Sequence, residues 1–255
     1  MATALITGAT AGLGRAFADK LAEERHDLVL VARDEARLAK VADEVGTRYG
    51  VSCEVLAADL LDDKERGRVE ERVADSVDVL VNNAGFGQPK AFWDTTVEEQ
   101  ERQLDLLVRV VLRLTHAAIR PMIDRHAGAI VNVSSTAGFA HRGPYSAHKA
   151  WVTNFSESLA MDVRPHGVRV MAVCPGWVHT EFHQRMGVDM SSIPSFMWLN
   201  APEVATEAWN DLRKGKSLSI PSLRYKLLIG ASKITPSSVV DRVSKIGLDR
   251  MRRSR

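Results

Sequence analysis

A short apolar strand, Thr3 to Thr7, runs directly into Gly8-Ala9-Thr10-Ala11-Gly12-Leu13-Gly14, and an amphipathic helix over Leu13 to Glu24 follows at once. A strand, a glycine-rich turn and a helix in succession present free backbone N–H groups and the positive end of a helix to an anion, above all a diphosphate. Gly8 permits the tight turn, Gly12 permits close backbone approach, and Gly14 lets the helix pack on the sheet. The spacing is G-x-x-x-G-x-G rather than the commoner G-x-G-x-x-G. A glycine-rich turn can also be only a turn, so the rest of the chain must decide.

The second strand, Asp27 to Val31, ends in Ala32-Arg33-Asp34. In such a strand–helix–strand unit the tip of strand two meets an adenosine ribose. A carboxylate there accepts from a 2′-hydroxyl and repels a 2′-phosphate. Ala32 supplies none, and the Arg33 guanidinium matches phosphate oxygens. The reading favours NADP (NADPH) over NAD. Arg33 can equally be a solvated charge at a helix start, with Asp34 as the N-cap. A third strand over Val51 to Ala58 ends at Asp59-Leu60, where Asp59 can contact an adenine amino group or cap the helix beginning near Asp62. The fourth, Val77 to Val81, delivers Asn82-Asn83-Ala84-Gly85, which places amide groups beside a cofactor or simply ends the strand in a turn.

Further along, Thr96 to Arg120 reads as one long helix with apolar stations at Leu104, Leu107, Val108, Val111, Leu112 and Thr115. Ala129 to Val133 is a strand ending at Ser134-Ser135, and Gly143-Pro144 breaks the following loop before a helix carrying Tyr145-Ser146-Ala147-His148-Lys149 to about Val163. Residues four apart share a helix face, so Tyr145 and Lys149 aim at one point. A free phenol titrates at about 10, and a nearby ammonium favours its phenolate. A Tyr-x-x-x-Lys is also common on plain helix surfaces. Val168 to Val173 is a sixth strand, followed by Cys174-Pro175-Gly176-Trp177-Val178-His179-Thr180. A helix over Pro202 to Lys214 and a strand over Ser217 to Ile220 complete the pattern.

Composition narrows the classes. With 45% hydrophobic residues, 26% charged residues and a formal charge of +2, the chain is ordinary for a soluble protein and unsuited to general nucleic-acid binding. Its two cysteines, Cys53 and Cys174, lie in apolar runs without disulfide or metal spacing, so reduced thiols and a cytoplasmic location are expected, with no metal. Met1 to Ile6 lacks a basic n-region, so no signal peptide is expected, and no apolar run approaches the ~18 residues of a membrane span. There is no internal repeat. One α/β domain over residues 1–221, including an irregular apolar loop at 181–200, is expected to precede a basic amphipathic extension at 222–255. That extension carries nine Lys or Arg against two Asp.

Taken together, Thr7-Gly8-x-x-x-Gly12-x-Gly14, Asp59, Asn82-Asn83-Ala84-Gly85, Ser135, Tyr145-x-x-x-Lys149 and Pro175-Gly176-x-x-x-Thr180 stand in the order found in the short-chain dehydrogenase/reductase (SDR) family, which the chain resembles over nearly its whole length. The resemblance implies a doubly wound, Rossmann-type parallel sheet of seven strands with helices on both faces, and a nicotinamide cofactor across the carboxyl ends of the strands. It implies an oxidoreductase that interconverts a carbonyl and an alcohol. Tyr145 would be the general acid/base, Lys149 would tune it and bind the nicotinamide ribose, and Ser135 rather than Ser134 would hold the substrate oxygen. At the cofactor it implies Thr7, Gly8, Thr10, Gly12, Leu13, Gly14, Arg33, Asp59, Leu60, Asn83, Ala84, Gly85, Tyr145, Lys149, Pro175, Gly176, Val178 and Thr180. It also implies a homodimer or homotetramer paired through the helices at 96–120 and 145–163.

Two departures from the family pattern stand out. Leu107 takes the place of an asparagine that supports proton supply to the lysine, and only nine residues separate Ser135 from Tyr145. The first leaves open a nucleotide-binding sensor or scaffold with weak turnover. In the loop after Thr180, Met186, Met190, Ile193, Pro194, Phe196, Met197, Trp198 and Leu199 suit an apolar carbonyl substrate, acyl or lipid-like, or else close the core. The extension at 222–255 can lie on an anionic membrane surface, remain a solvated tail, or serve an oligomer contact.

Overall fold

Runs of Val, Leu, Ile and Ala without alternation mark strands covered on both faces, and such strands form parallel sheets. The computed structural model describes residues 1–88, 90–141, 143–182, 186 and 193–234, the last three by backbone alone. Within it, β1 (Thr3–Thr7), β2 (Asp27–Ala32), β3 (Cys53–Ala57), β4 (Val79–Asn82), β5 (Gly128–Val133) and β6 (Val168–Val173) join a short β9 (Leu218–Ser219). They make a seven-stranded sheet in the order β3-β2-β1-β4-β5-β6-β9, parallel throughout. Two small strands, β7 (Trp177–Val178) and β8 (Trp198–Leu199), pair separately.

Several of the described helices have starts and stops written in their residues. For α2 (Glu35–Tyr49), Asp34 accepts from the Arg37 amide and Gly50 ends the helix at φ +66°. Asp62 accepts from the amides of Lys64 and Glu65 to start α3 (Asp63–Ala74), and Thr96 and Glu99 cap each other's amides at α4 (Val97–Leu104). Pro144 opens α6 (Pro144–Val163). Over one sheet face, α1 (Gly12–Glu23), α2 and α7 (Ala201–Arg213) bury Phe17, Leu21, Leu38 and Trp209. Over the other, α3 and α5 (Val110–Asp124) bury Val69, Leu114 and Met122, at roughly 1.5–3 kcal/mol of transfer free energy for each large side chain. Helix α6 lies across β5 and β6, and α8 (Leu223–Ile234) closes the described chain.

The chain winds outward from β1 to β3 and then returns to set β4 on the other side of β1. A crevice opens at the carboxyl ends of these two strands. Their tips are tied together. The Thr7 hydroxyl accepts from the amides of Asn83 (2.9 Å) and Ala84 (3.0 Å), and the Asn83 side-chain amide donates to the Thr7 carbonyl at 2.9 Å. A Cβ on Gly14 would stand 2.2 Å from the Gly8 carbonyl oxygen, so only glycine lets α1 sit this close to the turn.

Two expectations are revised. The helix expected over Thr96 to Arg120 is α4, a π-turn at Asp105–Arg109 and then α5 running on to Asp124. The wider turn shifts the buried face: Gln103, Leu107, Val110, Val111, Leu114 and Thr115 are buried, while Leu104 and Leu112 are 41% and 43% exposed. Asn82 faces away from the crevice. Its amide donates to Asn132 Oδ1 (2.8 Å), whose own amide donates to Ser156 Oγ (2.9 Å), a buried polar ladder across β4, β5 and α6. No helix among the described residues is long and apolar enough to cross a membrane. Of the extension at 222–255, residues 235–255 lie outside the described residues, as does Met190 of the apolar loop.

The ladder sets a stability expectation. Asn132→Leu keeps the side-chain volume but leaves the Asn82 and Ser156 groups short of partners, so unfolding in urea should show a loss of about 1–3 kcal/mol with an unchanged m-value. A midpoint equal to wild type would refute the ladder's role.

Candidate active site

The crevice is the mouth of a cleft of about 2070 Å³ running from Arg33 to the helix that carries Tyr145 and Lys149. At the β1 end, Gly8 (φ +68°) and Gly12 (φ +57°) hold the turn in a left-handed conformation, and a Cβ on Gly12 would stand 2.9 Å from the Thr180 side chain. Helix α1 begins here with no side-chain cap and no acidic residue in its first turn, so its amides and positive end face the cleft uncompensated. That is the chemistry a diphosphate requires, and the residues fit a dinucleotide.

Most of the expected cofactor residues line this cleft: Gly8, Thr10, Gly12 and Leu13 from the turn, Arg33 after β2, Asp59 and Leu60 after β3, Asn83 to Gly85 after β4, and Pro175, Gly176, Val178 and Thr180 after β6. Thr7 and Gly14 instead stand behind the wall, where they fix its shape. Arg33 is exposed on the rim and makes no ion pair among the described residues. Asp59 accepts from the Leu61 amide at 3.0 Å, and capping of α3 falls to Asp62. Thr180 accepts from the Phe182 amide at 3.3 Å.

At the other end, β5 and α6 bring Ser135, Tyr145 and Lys149 to one wall. Ser135 Oγ accepts from the Ala137 amide at 3.1 Å, and its hydroxyl stands near enough to Tyr145 to act on the titration of the phenol. Burial pushes the Tyr145 phenol up to about 12, the nearby Ser135 hydroxyl opposing. Burial also brings the Lys149 ammonium down to about 8. The ammonium donates to the Val133 carbonyl at 2.7 Å and lies 5.8 Å from the Tyr145 ring centre. In this arrangement desolvation governs the phenol, and the downward pull expected from Lys149 is not the controlling influence. Ser134 faces the other way: its hydroxyl donates to the Lys149 carbonyl (2.6 Å) and lies 2.8 Å from the Thr153 hydroxyl, beneath the helix.

Other residues complete the lining. Arg37 Nη2 reaches Glu181 (2.7 Å) and the Thr10 carbonyl (3.5 Å), joining α2 to the segment after Thr180. Phe182 lies against Tyr145, ring centres 6.3 Å apart, and Met186 packs on Gly87. Leu107 packs on Gly85, 2.8 Å from where a Cβ would be. Tyr225 of α8 sits on Gly176, accepts from the Trp177 amide (3.1 Å) and donates to the Met197 carbonyl (2.8 Å). The tail beginning at Ser222 is therefore joined to the cleft in its first helical turn, and Leu228 and Ile229 of the next turn add to the lining. Among the described residues no group of His, Cys, Asp or Glu side chains is arranged to hold a metal ion.

This geometry has close counterparts. The chain is 34% identical over 183 residues to the 3-oxoacyl-(acyl-carrier-protein) reductase of Aquifex aeolicus, covering 69% of this chain and 74% of that protein. A short-chain dehydrogenase from Sphingobium yanoikuyae, solved in complex with NADPH, superposes with a TM-score of 0.84 at 34% identity over 91% of this chain and 94% of the other. The bulky-bulky ketone specific alcohol dehydrogenase from Comamonas testosteroni does so with a TM-score of 0.80 at 30% identity, over 91% and 92%. The family model of the short chain dehydrogenases matches residues 2–190, and with the seven-stranded sheet and its cleft this establishes that the chain belongs to the SDR family of NAD(P)-dependent oxidoreductases acting on carbonyls and alcohols.

Proposed function

We propose that the chain reduces an apolar ketone or aldehyde with NADPH, using Tyr145 as the proton donor. The observation that carries this reading is the convergence of Ser135, Tyr145 and Lys149 on one wall of an otherwise largely apolar cleft, with the Lys149 ammonium 5.8 Å from the Tyr145 ring centre. Bound in the cleft, the nicotinamide supplies the hydride. The Ser135 hydroxyl donates to the carbonyl oxygen and holds it beside the phenol. A phenol at about 12 stays protonated at neutral pH, so Tyr145 has its proton ready to give as negative charge develops on that oxygen. Lys149, charged below about 8, steadies the phenolate left behind, and the Val133 carbonyl holds the ammonium in place. Phe182, Met186, Met197, Leu228 and Ile229 line the same cleft and suit an apolar body.

For the cofactor, the unpaired Arg33 on the rim beyond β2 supports NADP over NAD, as does the NADPH held by the Sphingobium relative. Arg37 stands nearby but its charge is already matched by Glu181.

Three outcomes are expected. Tyr145→Phe lowers kcat for ketone reduction by about 100- to 10,000-fold while NADPH binding, followed by its fluorescence, persists; turnover near wild type would end the assignment. The reduction rate of wild type falls as pH rises past about 8, because Lys149 sheds its proton there while Tyr145 keeps its own; a rate still flat well above that pH removes Lys149 from control of the step. Arg33→Ala raises KM for NADPH by about tenfold to a hundredfold and leaves KM for NADH in place, whereas an unaltered ratio would show that the 2′-phosphate is bound elsewhere.

A further inference from the structure

Among the described residues, the cleft holds two polar side chains, each more than nine-tenths buried, whose atoms lack hydrogen bonds: the Gln103 amide oxygen and the Ser146 hydroxyl. Gln103 is 1% exposed and Ser146 is 3% exposed. A buried polar atom without a partner is costly, and such atoms are rare in folded proteins unless something else meets them. The two come from packed neighbours. Gln103 is in the last turn of α4, one turn ahead of Leu107. Ser146 follows Tyr145 in the first turn of α6.

The lack of partners has a local cause in each case. Deeper in α6, hydroxyls are satisfied by the helix itself: Thr153 donates to the Lys149 carbonyl at 3.0 Å and Ser156 to the Val152 carbonyl at 2.7 Å. Ser146 stands too close to the start of the helix at Pro144 for a carbonyl four residues back to lie within it. For Gln103, the Phe86 carbonyl fixes the amide orientation. A carbonyl only accepts, so Nε2 faces it at 3.5 Å and Oε1 is left as the free end. The pair therefore offers one acceptor and one hydroxyl, in a cleft whose nearby lining is Leu106, Leu107, Phe182 and Met186.

We propose that Gln103 and Ser146 form a polar substrate subsite that selects, among apolar ketones and aldehydes, those bearing a second group that donates a hydrogen bond, a hydroxyl or an amide N–H. The proposal rests on the carbonyl-reducing function above and names its substrate class. A donor supplies the partner that the Gln103 oxygen lacks, and a hydroxyl, which both donates and accepts, can do the same for Ser146. A carboxylate at the same place meets the Gln103 oxygen acceptor against acceptor and pairs with Ser146 alone, and a plain hydrocarbon leaves both atoms unpaired.

The test is NADPH-dependent reduction of a medium-chain methyl ketone, the set of its mono-hydroxylated isomers, and the corresponding keto acid. In wild type, kcat/KM for the best hydroxyketone exceeds that of the parent ketone by about tenfold or more, and the keto acid is the poorest of the series. In Gln103→Met, which keeps the volume, and in Ser146→Ala, that ratio falls toward unity. Melting temperatures identify a variant that fails to fold, and the other then carries the comparison. A wild type without preference, or a ratio kept in both folded variants, overturns the subsite and leaves the two atoms to a buried water while the carbonyl reading stands. A ratio kept in one variant removes that residue. Should wild type consume NADPH with no ketone in the series, the proposed function itself fails and the subsite falls with it.

Discussion

One threonine hydroxyl holds the tips of β1 and β4 together, accepting two backbone amides from Asn83 and Ala84 while the Asn83 side chain returns a bond to the Thr7 carbonyl. These strands are adjacent in the sheet yet 72 residues apart in the chain from Thr7 to Val79, so nothing local keeps them in register beyond their ladder. The tie places the glycine-rich turn on one side of the crevice and the Asn83–Gly85 segment on the other. Gly14, seated on the Gly8 carbonyl, then sets how close α1 approaches. The free amides at the start of α1 take their position from these contacts.

At the far end of the cleft, one physical cause acts on two groups with opposite results. Burial disfavours the charged form of each side chain, which raises the Tyr145 phenol and lowers the Lys149 amine. Their titrations move apart, the phenol to about 12 and the amine to about 8. The phenol remains an acid with a proton to donate, and the amine loses its charge within reach of ordinary pH. Holding an ammonium in such a place takes a dedicated set of contacts: the Val133 carbonyl accepts from it directly, while Ser134 and Thr153 both donate to the Lys149 backbone carbonyl. The helix is thus pinned to β5 at the turn that carries the lysine.

How much of this the amino-acid sequence discloses depends on whether the signal is local. Strand limits at Thr3–Thr7 and Val168–Val173 follow from uninterrupted apolar runs, and Asp34 declares itself as a cap by its place before Glu35. The π-turn at Asp105–Arg109 has no such mark, because its residues are as acceptable in an α-helix, and the apolar stations slip out of phase after it. Helix α6 hides its inner face for a different reason. Ser146, Lys149, Thr153 and Ser156 are buried there, whereas the aromatic Trp151 and Phe155 stack on each other at 4.8 Å and remain half-exposed. A polar stripe is legible as a core face only when its partners, Asn132, Ser134 and Cys174, are known to lie opposite. Asn82 and Asn83 likewise look alike on paper, but consecutive residues at a strand end point to opposite sides, and only Asn83 reaches the cleft.

The contact between Tyr225 and Gly176 joins two parts of the chain that the strand–helix alternation would keep separate. The phenol spans from the Trp177 amide to the Met197 carbonyl, so a single side chain from the last helix is bolted to both segments flanking the loop that follows Thr180. Among the described residues the sheet is complete at Ser219, yet the cleft is not. A protein clipped after Ile220 would keep every strand and lose its stopper, with bulk water admitted to a chamber whose chemistry depends on desolvation.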